Sequence, residues 1–188
     1  MFFTADLHFA HKNVIRFTTR PFEDVAEMDE ALIQIWNQTV GADDTVYHLG
    51  DFCFGRKSKW ESILERLNGS IILIKGNHDS SKIARSLLAD GLIKEYHPIG
   101  TGLKVDNYIL YLTHFPMLIG CRPRLFSIHG HVHGEDLMMP DCINVGVDSQ
   151  LSKMFGHPFG RPIHIDELMP VLHKAEAAKR PQSCDELS

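Results

Sequence analysis

Short apolar runs rich in Ile, Val, Tyr and Phe recur along the sequence and constrain the fold more than any other feature. Most of these runs end at a Gly, Asp, His or Pro, and their length and composition are typical of buried strands. Six runs are predicted to be strands: residues 2–5, 45–49, 71–74, 108–113, 125–129 and 142–147. A further candidate strand covers Ile163 to Ile165 near the end of the sequence.

Helical periodicity fills the intervals between the first strands. Apolar residues recur at helical spacing between Glu27 and Val40, and the same spacing recurs around residues 63–67 and 83–88. This alternation predicts a largely parallel sheet with helical crossovers, whereas residues 92–147, which are mostly strand and turn, predict an antiparallel portion. The predicted fold class is therefore α/β, with two packed mixed β-sheets flanked by helices.

The chain has the length of one domain, because 188 residues can bury a single core without crosslinks. We assign residues 1–179 to that domain. Residues 150–160 are predicted to be a loop, and Asp166 is predicted to cap a C-terminal helix. The polar segment 180–188 is predicted to be a disordered tail.

Composition argues against several classes of function. No apolar run approaches the roughly 18 residues that a membrane span needs. A net charge of −5 argues against a domain that holds long nucleic acid through a basic surface, although a small phosphate substrate is compatible with it. The sequence has no CxxC pair and no secretion signal at its start, so we expect free thiols and a cytoplasmic location. The cysteines are Cys53, Cys121, Cys142 and Cys184.

Side chains that bind metals follow five of the predicted strands. Because the carboxyl ends of neighbouring parallel strands lie side by side, these distant segments are expected to converge. Side chains two positions apart in an extended segment point the same way, so Asp6 with His8, and His131 with His133, can face one cluster. Carboxylate, imidazole and amide ligands without cysteine indicate Mn, Fe, Zn or Mg. The segments are Asp6-Leu7-His8, Gly50-Asp51, Gly76-Asn77-His78-Asp79, Thr113-His114 and Gly130-His131-Val132-His133.

This ordered series of motifs, which covers residues 1–147, resembles the calcineurin-like metallophosphoesterase family. Two further segments, Arg20-Pro21-Phe22 and Asn144-Val145-Gly146, resemble its small bacterial and phage members. The resemblance implies an α/β/β/α sandwich that holds two divalent ions, with Mn2+ favoured and Fe, Zn, Ni and Mg as alternatives. It also implies the ligands: Asp6, His8 and His133 for one ion, Asn77, His114 and His131 for the other, and Asp51 as the bridge.

The resemblance implies phosphoester hydrolysis, with catalytic roles for His78, Asn77 and Asp51. A hydroxide that bridges the metals would be the nucleophile, and His78 would protonate the leaving oxygen. Small or nucleotide-like phosphodiesters are the expected substrates, and phosphomonoesters are the alternative for the same site. A nuclease is a weaker alternative because no basic groove or aromatic stripe is evident. A non-catalytic protein-binding scaffold is weaker still, because His78 and every ligand position are retained.

Three residues near the first motif are candidate substrate contacts. Arg20 can offer a bidentate fork to phosphate oxygens, whereas His11 and Asn13 can contact substrate or simply begin an exposed helix. Asp79 is interpreted as the N-cap of the following helix rather than as a partner of His78.

One position departs from the protein phosphatase branch of the family. Members of that branch carry an Asp three residues after the Gly-Asp motif, and Phe54 occupies that position in this sequence. This departure argues against a protein phosphatase.

Overall fold

A computed structural model describes residues 1–120 and 122–179, which form nine strands and six helices. The first sheet has the strand order β4-β3-β2-β1-β9. Its first four members in chain order run parallel, and β9 pairs antiparallel with β1. These strands are β1 (Phe2–Thr4), β2 (Thr45–His48), β3 (Ser70–Ile74), β4 (Glu95–His97) and β9 (Ile163–His164).

The second sheet has the order β5-β6-β7-β8. Its strands are β5 (Gly100–Val105), β6 (Tyr108–Thr113), β7 (Leu125–His129) and β8 (Cys142–Asn144). Only the β5–β6 pair is antiparallel, because β6, β7 and β8 run parallel. The predicted antiparallel portion is therefore wrong beyond that hairpin. Parallel neighbours require a connection that runs back along the sheet before the next strand begins. The connecting sequences here have no helical periodicity, so the sequence pattern alone does not distinguish them from hairpin turns.

Helices flank the two sheets, so the predicted fold class is confirmed. Two local predictions are wrong. A short helix, α5, begins inside the predicted loop, where the Ser149 side chain accepts a hydrogen bond from the backbone of Ser152. Asp166 lies in the first turn of α6 rather than at its cap, because β9 runs directly into that helix. The helices are α1 (Lys12–Phe17), α2 (Val25–Thr39), α3 (Lys57–Leu64), α4 (Ser81–Ala89), α5 (Gln150–Met154) and α6 (Ile165–Lys179).

Adjacent residues of β1 enter two different cores. Phe2 belongs to the core that includes Trp36 of α2, whereas Phe3 belongs to the core that includes Leu110 and Phe126 of the second sheet. This alternation follows from the period of two along a strand. Beyond β1, Ala5 forms a parallel bridge with Gly146, which follows β8. The carboxyl ends of the two sheets therefore meet at one edge.

None of the helices in residues 1–120 and 122–179 has the length and apolar character that a membrane crossing requires. Cys53 and Cys142 are free thiols, as expected. The predicted tail, 180–188, and the remaining cysteines, Cys121 and Cys184, lie outside the described residues.

Candidate metal centre

The predicted ligands lie just beyond the carboxyl ends of five strands, three from the first sheet and two from the second. Two groups of side chains bring their ligand atoms within 4.8 Å of one another. The first group is Asp6, His8 and His133, and the second is Asp6, Asp51 and His114. The strand ends therefore converge as the topology requires.

Asn77 and Asp51 connect these groups. Oδ1 of Asn77 lies 2.8 Å from Nε2 of His114 and 2.9 Å from Nδ1 of His131. Oδ2 of Asp51 lies 3.5 Å from Nε2 of His114 and also 3.5 Å from Nε2 of His8. One carboxylate oxygen thus faces a histidine from each of the two predicted ligand sets, which is the position that a bridging ligand needs.

The state of His8 shows that these residues fit a divalent cation. Its Nε2 atom is buried and has no hydrogen-bond partner among the described residues. Burial lowers the pKa of His8 to about 3, so the ring is neutral and carries the lone pair that binds a metal. A buried polar atom left without a partner is costly, and a bound cation would remove that cost. Oxygen and imidazole donors of this kind suit Mn, Fe, Zn or Mg.

Two buried carboxylates, Asp6 and Asp51, favour the binding of positive charge at the centre. Asp6 is fully buried, and burial raises its pKa to about 7 although His114 and His133 oppose the shift. Burial also opposes ionisation of Asp51, but the hydrogen bond and charge of His114 hold the pKa of Asp51 well below its usual range. Divalent ions would compensate both carboxylates.

Left-handed backbone turns aim the ligands at the centre. Five of the ligand residues have positive φ angles between 49° and 71°, and they are Asp6, His8, Asp51, His131 and His133. Each such conformation costs a non-glycine residue about 1 kcal/mol or more, and strain of this kind clusters at functional sites. Convergence therefore comes from tight turns rather than from the extended alternation expected from the sequence.

Glycines allow the loops to approach one another. A Cβ atom at Gly76 would overlap the Asp51 carboxylate, and one at Gly130 would lie only 2.6 Å from Oδ2 of Asp6. The carboxylates of Asp51 and Asp6 therefore occupy space that the side chain of any residue other than glycine would fill.

Hydrogen bonds behind the ligands fix which histidine nitrogen faces the centre. Nδ1 of His114 donates to the carbonyl oxygen of Leu49 at 2.8 Å, and Nδ1 of His133 donates to the Asp148 carboxylate at 2.9 Å. Both rings then keep Nε2 available for a metal. Sequence reasoning missed Asp148, for which the only signal was its place just after the Asn144-Val145-Gly146 segment.

Arg20 lies behind the centre and not in its open face. Its side chain is fully buried and forms an ion pair of 2.7 Å with Asp148. The remaining donors bind the carbonyl oxygens of Leu7 at 2.7 Å and Asp6 at 2.6 Å. This placement differs from the predicted phosphate contact, because the guanidinium is already used to hold the first ligand loop.

Asp79 is not the helix cap that its position suggests. The Ser80 side chain caps α4 by accepting a hydrogen bond from the backbone of Ile83. Asp79 instead accepts backbone hydrogen bonds from Asp51, Phe52 and Gly76. Burial raises the pKa of Asp79 to about 6. The carboxylate thereby joins the two loops that follow β2 and β3.

The remaining predicted site residues lie at different distances from the centre. His78 is exposed, its backbone N–H donates to Oδ1 of Asp51 at 2.8 Å, and its ring centroid is 5.4 Å from that of His8. His11 is half-buried and lines the same open cleft of roughly 770 Å³ as His8 and His78. Asn13 lines a separate surface depression.

A two-sheet α/β fold that gathers carboxylate, imidazole and amide donors at its strand ends defines a protein suited to hold divalent metal ions. The family model described as calcineurin-like phosphoesterase matches residues 2–180, and the chain belongs to this family. Membership confirms the resemblance found in the motifs and implies metal-dependent phosphoester hydrolysis.

Three similar proteins carry no stated activity. An uncharacterized protein of Methanocaldococcus jannaschii is 43% identical over 81 residues, which are 42% of this chain and only 46% of that protein. The Gene 66 protein of Mycobacterium phage L5 is 28% identical, over 91% of this chain and 93% of its own length. A crystal structure of a protein of unknown function from Aquifex aeolicus is 25% identical, with a TM-score of 0.68 over 91% of this chain and 98% of that one. The phage relative agrees with the narrower resemblance.

Proposed function

We propose that this protein is a phosphodiesterase that uses two divalent ions, with Mn2+ favoured, to hydrolyse small or nucleotide-like substrates. The observation that carries the proposal is the position of Asp51, whose Oδ2 lies 3.5 Å from both His8 and His114. A shared carboxylate between two donor sets is typical of binuclear centres. Membership of the calcineurin-like phosphoesterase family supports hydrolysis of a phosphoester.

Each protein residue has a role in this scheme. Asp6, His8 and His133 would hold one ion, Asn77, His114 and His131 would hold the other, and Asp51 would be shared between the two sets. When bound, the ions supply a water nucleophile at neutral pH and neutralise the charge of the phosphoryl group. Asp148 and Leu49 keep the histidines in the tautomer that binds metal.

His78 is the general acid. Its backbone is tied to Asp51, so the imidazole stands at the edge of the metal site within the open cleft. Displacement at phosphorus is in line, which means that the leaving oxygen departs on the side opposite the nucleophile and needs a proton there. A protonated imidazole beside the site can donate that proton.

Hydrolysis of two p-nitrophenyl esters tests the reaction. We expect the Mn2+-loaded protein to hydrolyse bis(p-nitrophenyl) phosphate faster than p-nitrophenyl phosphate. Faster turnover of the monoester would replace the diesterase assignment with a monoesterase. Absence of turnover of both esters with Mn, Fe, Zn, Ni and Mg would overturn the proposal.

The role of His78 is tested by the leaving group. His78→Ala is expected to lower kcat for a dinucleoside phosphate, whose leaving alkoxide needs a proton, by about 10²- to 10⁴-fold. The loss should be much smaller for a p-nitrophenyl ester, because p-nitrophenolate leaves without protonation. His97→Ala is the matched control, since the His97 ring pairs with Glu95 and does not line the cleft that holds His78. Equal losses for both leaving groups would contradict the acid role.

A further inference from the structure

Phe54 presents an apolar ring at the edge of the metal site. Its side chain remains 46% exposed although it lines the same cleft as His8 and His78. The backbone N–H of Phe54 donates to the carbonyl oxygen of Phe9 at 2.7 Å, so the residue is held in place by the loop that follows β1 and carries His8. A large apolar side chain that is fixed and exposed beside a polar centre indicates a binding surface.

The Phe54 ring is supported from one side by His11. The two ring centroids lie 4.7 Å apart with planes only 14° from parallel. Nδ1 of His11 in turn lies 3.3 Å from Nδ1 of His8. His11 therefore lies between the predicted metal ligand His8 and the Phe54 ring at the surface of the cleft. Stacking on His11 fixes the plane of the Phe54 ring.

Phe54 also lies on the side of the proposed acid. Its centroid is 6.2 Å from that of His78, which in the proposed mechanism protonates the leaving oxygen. A planar group attached to the leaving oxygen would thus reach the exposed ring. Phe17 and Val14 line the same cleft and extend its apolar surface, and Phe17 is 76% exposed.

Resting on the phosphodiesterase function proposed above, we propose that Phe54, backed by His11, is a stacking platform for a nucleobase on the leaving-group side of the substrate. The platform determines the substrate class, which is a phosphodiester that carries a nucleoside. Because every base has a π-face, stacking of this kind separates nucleotides from sugar phosphates but discriminates little among bases. A cleft of roughly 770 Å³ lies in the usual size range of small-molecule sites.

Calorimetric binding of fragments of the substrate tests the platform without turnover of a diester. Adenosine monophosphate, ribose 5-phosphate and inorganic phosphate are titrated into the Mn2+-loaded protein. We expect adenosine monophosphate to bind about tenfold more tightly than ribose 5-phosphate, the difference being the stacked base. Phe54→Leu is expected to reduce that ratio to about one, whereas Phe54→Trp retains it. Affinity for inorganic phosphate should change little in either variant.

Phe115→Leu is the matched control. Phe115 is 52% exposed and packs against the rings of His114 and His131, so it is an equally accessible phenylalanine beside the other ligand set. This variant is expected to keep the tenfold ratio. A ratio below two in the wild type, or an unchanged ratio in Phe54→Leu, would overturn the platform.

Hydrolysis of the p-nitrophenyl esters is measured in parallel on the same wild-type protein. If the protein hydrolyses the esters but binds adenosine monophosphate no more tightly than ribose 5-phosphate, the platform is excluded and the proposed function stands. A Phe54-dependent ratio without turnover instead removes the proposed hydrolysis.

Discussion

The carboxylate of Asp79 accepts a hydrogen bond of 2.8 Å from the backbone N–H of Asp51 and so fixes the loop that carries the shared metal ligand. Asp79→Asn places an amide NH2 against at least one of the buried N–H donors of Asp51, Phe52 and Gly76. We expect the free energy of unfolding to fall by about 1 to 3 kcal/mol, with weaker Mn2+ binding. Urea unfolding and calorimetry measure the two effects.

Ser80→Ala is the control for the Asp79 variant. It removes the N-cap of α4 and should lower the free energy of unfolding by about 1 kcal/mol while Mn2+ affinity is retained. Equal Mn2+ affinities in wild type and Asp79→Asn would show that Asp79 does not position the ligand loop.

Asp148 is expected to raise the affinity for one of the two ions, because it orients the proposed ligand His133. Asp148→Asn weakens the hydrogen bond that keeps Nδ1 of His133 protonated, so the affinity for that ion should fall about 10- to 100-fold. Calorimetric titration of the metal-free protein should then show one weakened Mn2+ site and one near its original affinity. The same substitution at Asp43, which is exposed, is the control. Loss of both sites together would indicate a general effect on the fold.

Arg20 is expected to stabilise the fold and not to contact the substrate. Arg20→Leu leaves the Asp148 carboxylate and the carbonyl oxygens of Leu7 and Asp6 without their buried donor. The free energy of unfolding of the metal-free protein should fall by about 3 to 5 kcal/mol, as measured in urea. Arg66→Leu, which breaks an exposed ion pair with Glu30, should have a much smaller effect. A stability change no larger than that of Arg66→Leu would contradict the structural role of Arg20.

Metal removal should destabilise the fold, because the Asp6 and Asp51 carboxylates then lie buried without a compensating cation. Mn2+ at about 100 times the Kd of each site should stabilise the metal-free protein by about 2.7 kcal/mol per ion, which corresponds to a rise in Tm of about 5 to 10 °C for each ion bound. Scanning calorimetry with chelator and with added Mn2+ measures the shift. Asp51→Asn should show a smaller rise, and a Tm that does not respond to Mn2+ in the wild type would exclude ion binding at this centre.

Much of the centre can be predicted because its ligands follow strands in a recognisable order. The motifs at Asp6, Asp51 and Asn77 stand at the ends of parallel strands, and the topology of such a sheet brings strand ends together. The structure bears out this convergence, although the residues reach it through left-handed turns.

Residues whose partners are distant in sequence could not be assigned in the same way. Arg20 meets Asp148 from 128 positions away, and Asp79 reaches the backbone of Asp51 across 28 positions. The local sequence pattern predicts that Asp79 caps a helix. In the structure its carboxylate instead accepts hydrogen bonds from the backbone of a distant loop. The stacking of Phe54 on His11 likewise depends on how two loops pack, so the sequence revealed only that an expected Asp was replaced.

The number of metal ions held by each chain tests the binuclear centre most directly. The protein is loaded with Mn2+, separated from free ion by gel filtration and measured by mass spectrometry, together with His133→Ala and Asn77→Ala, which alter one ligand set each. We expect two Mn2+ per chain in the wild type and about one in each variant. One ion or none in the wild type would contradict a centre in which Asp51 is shared by two metals.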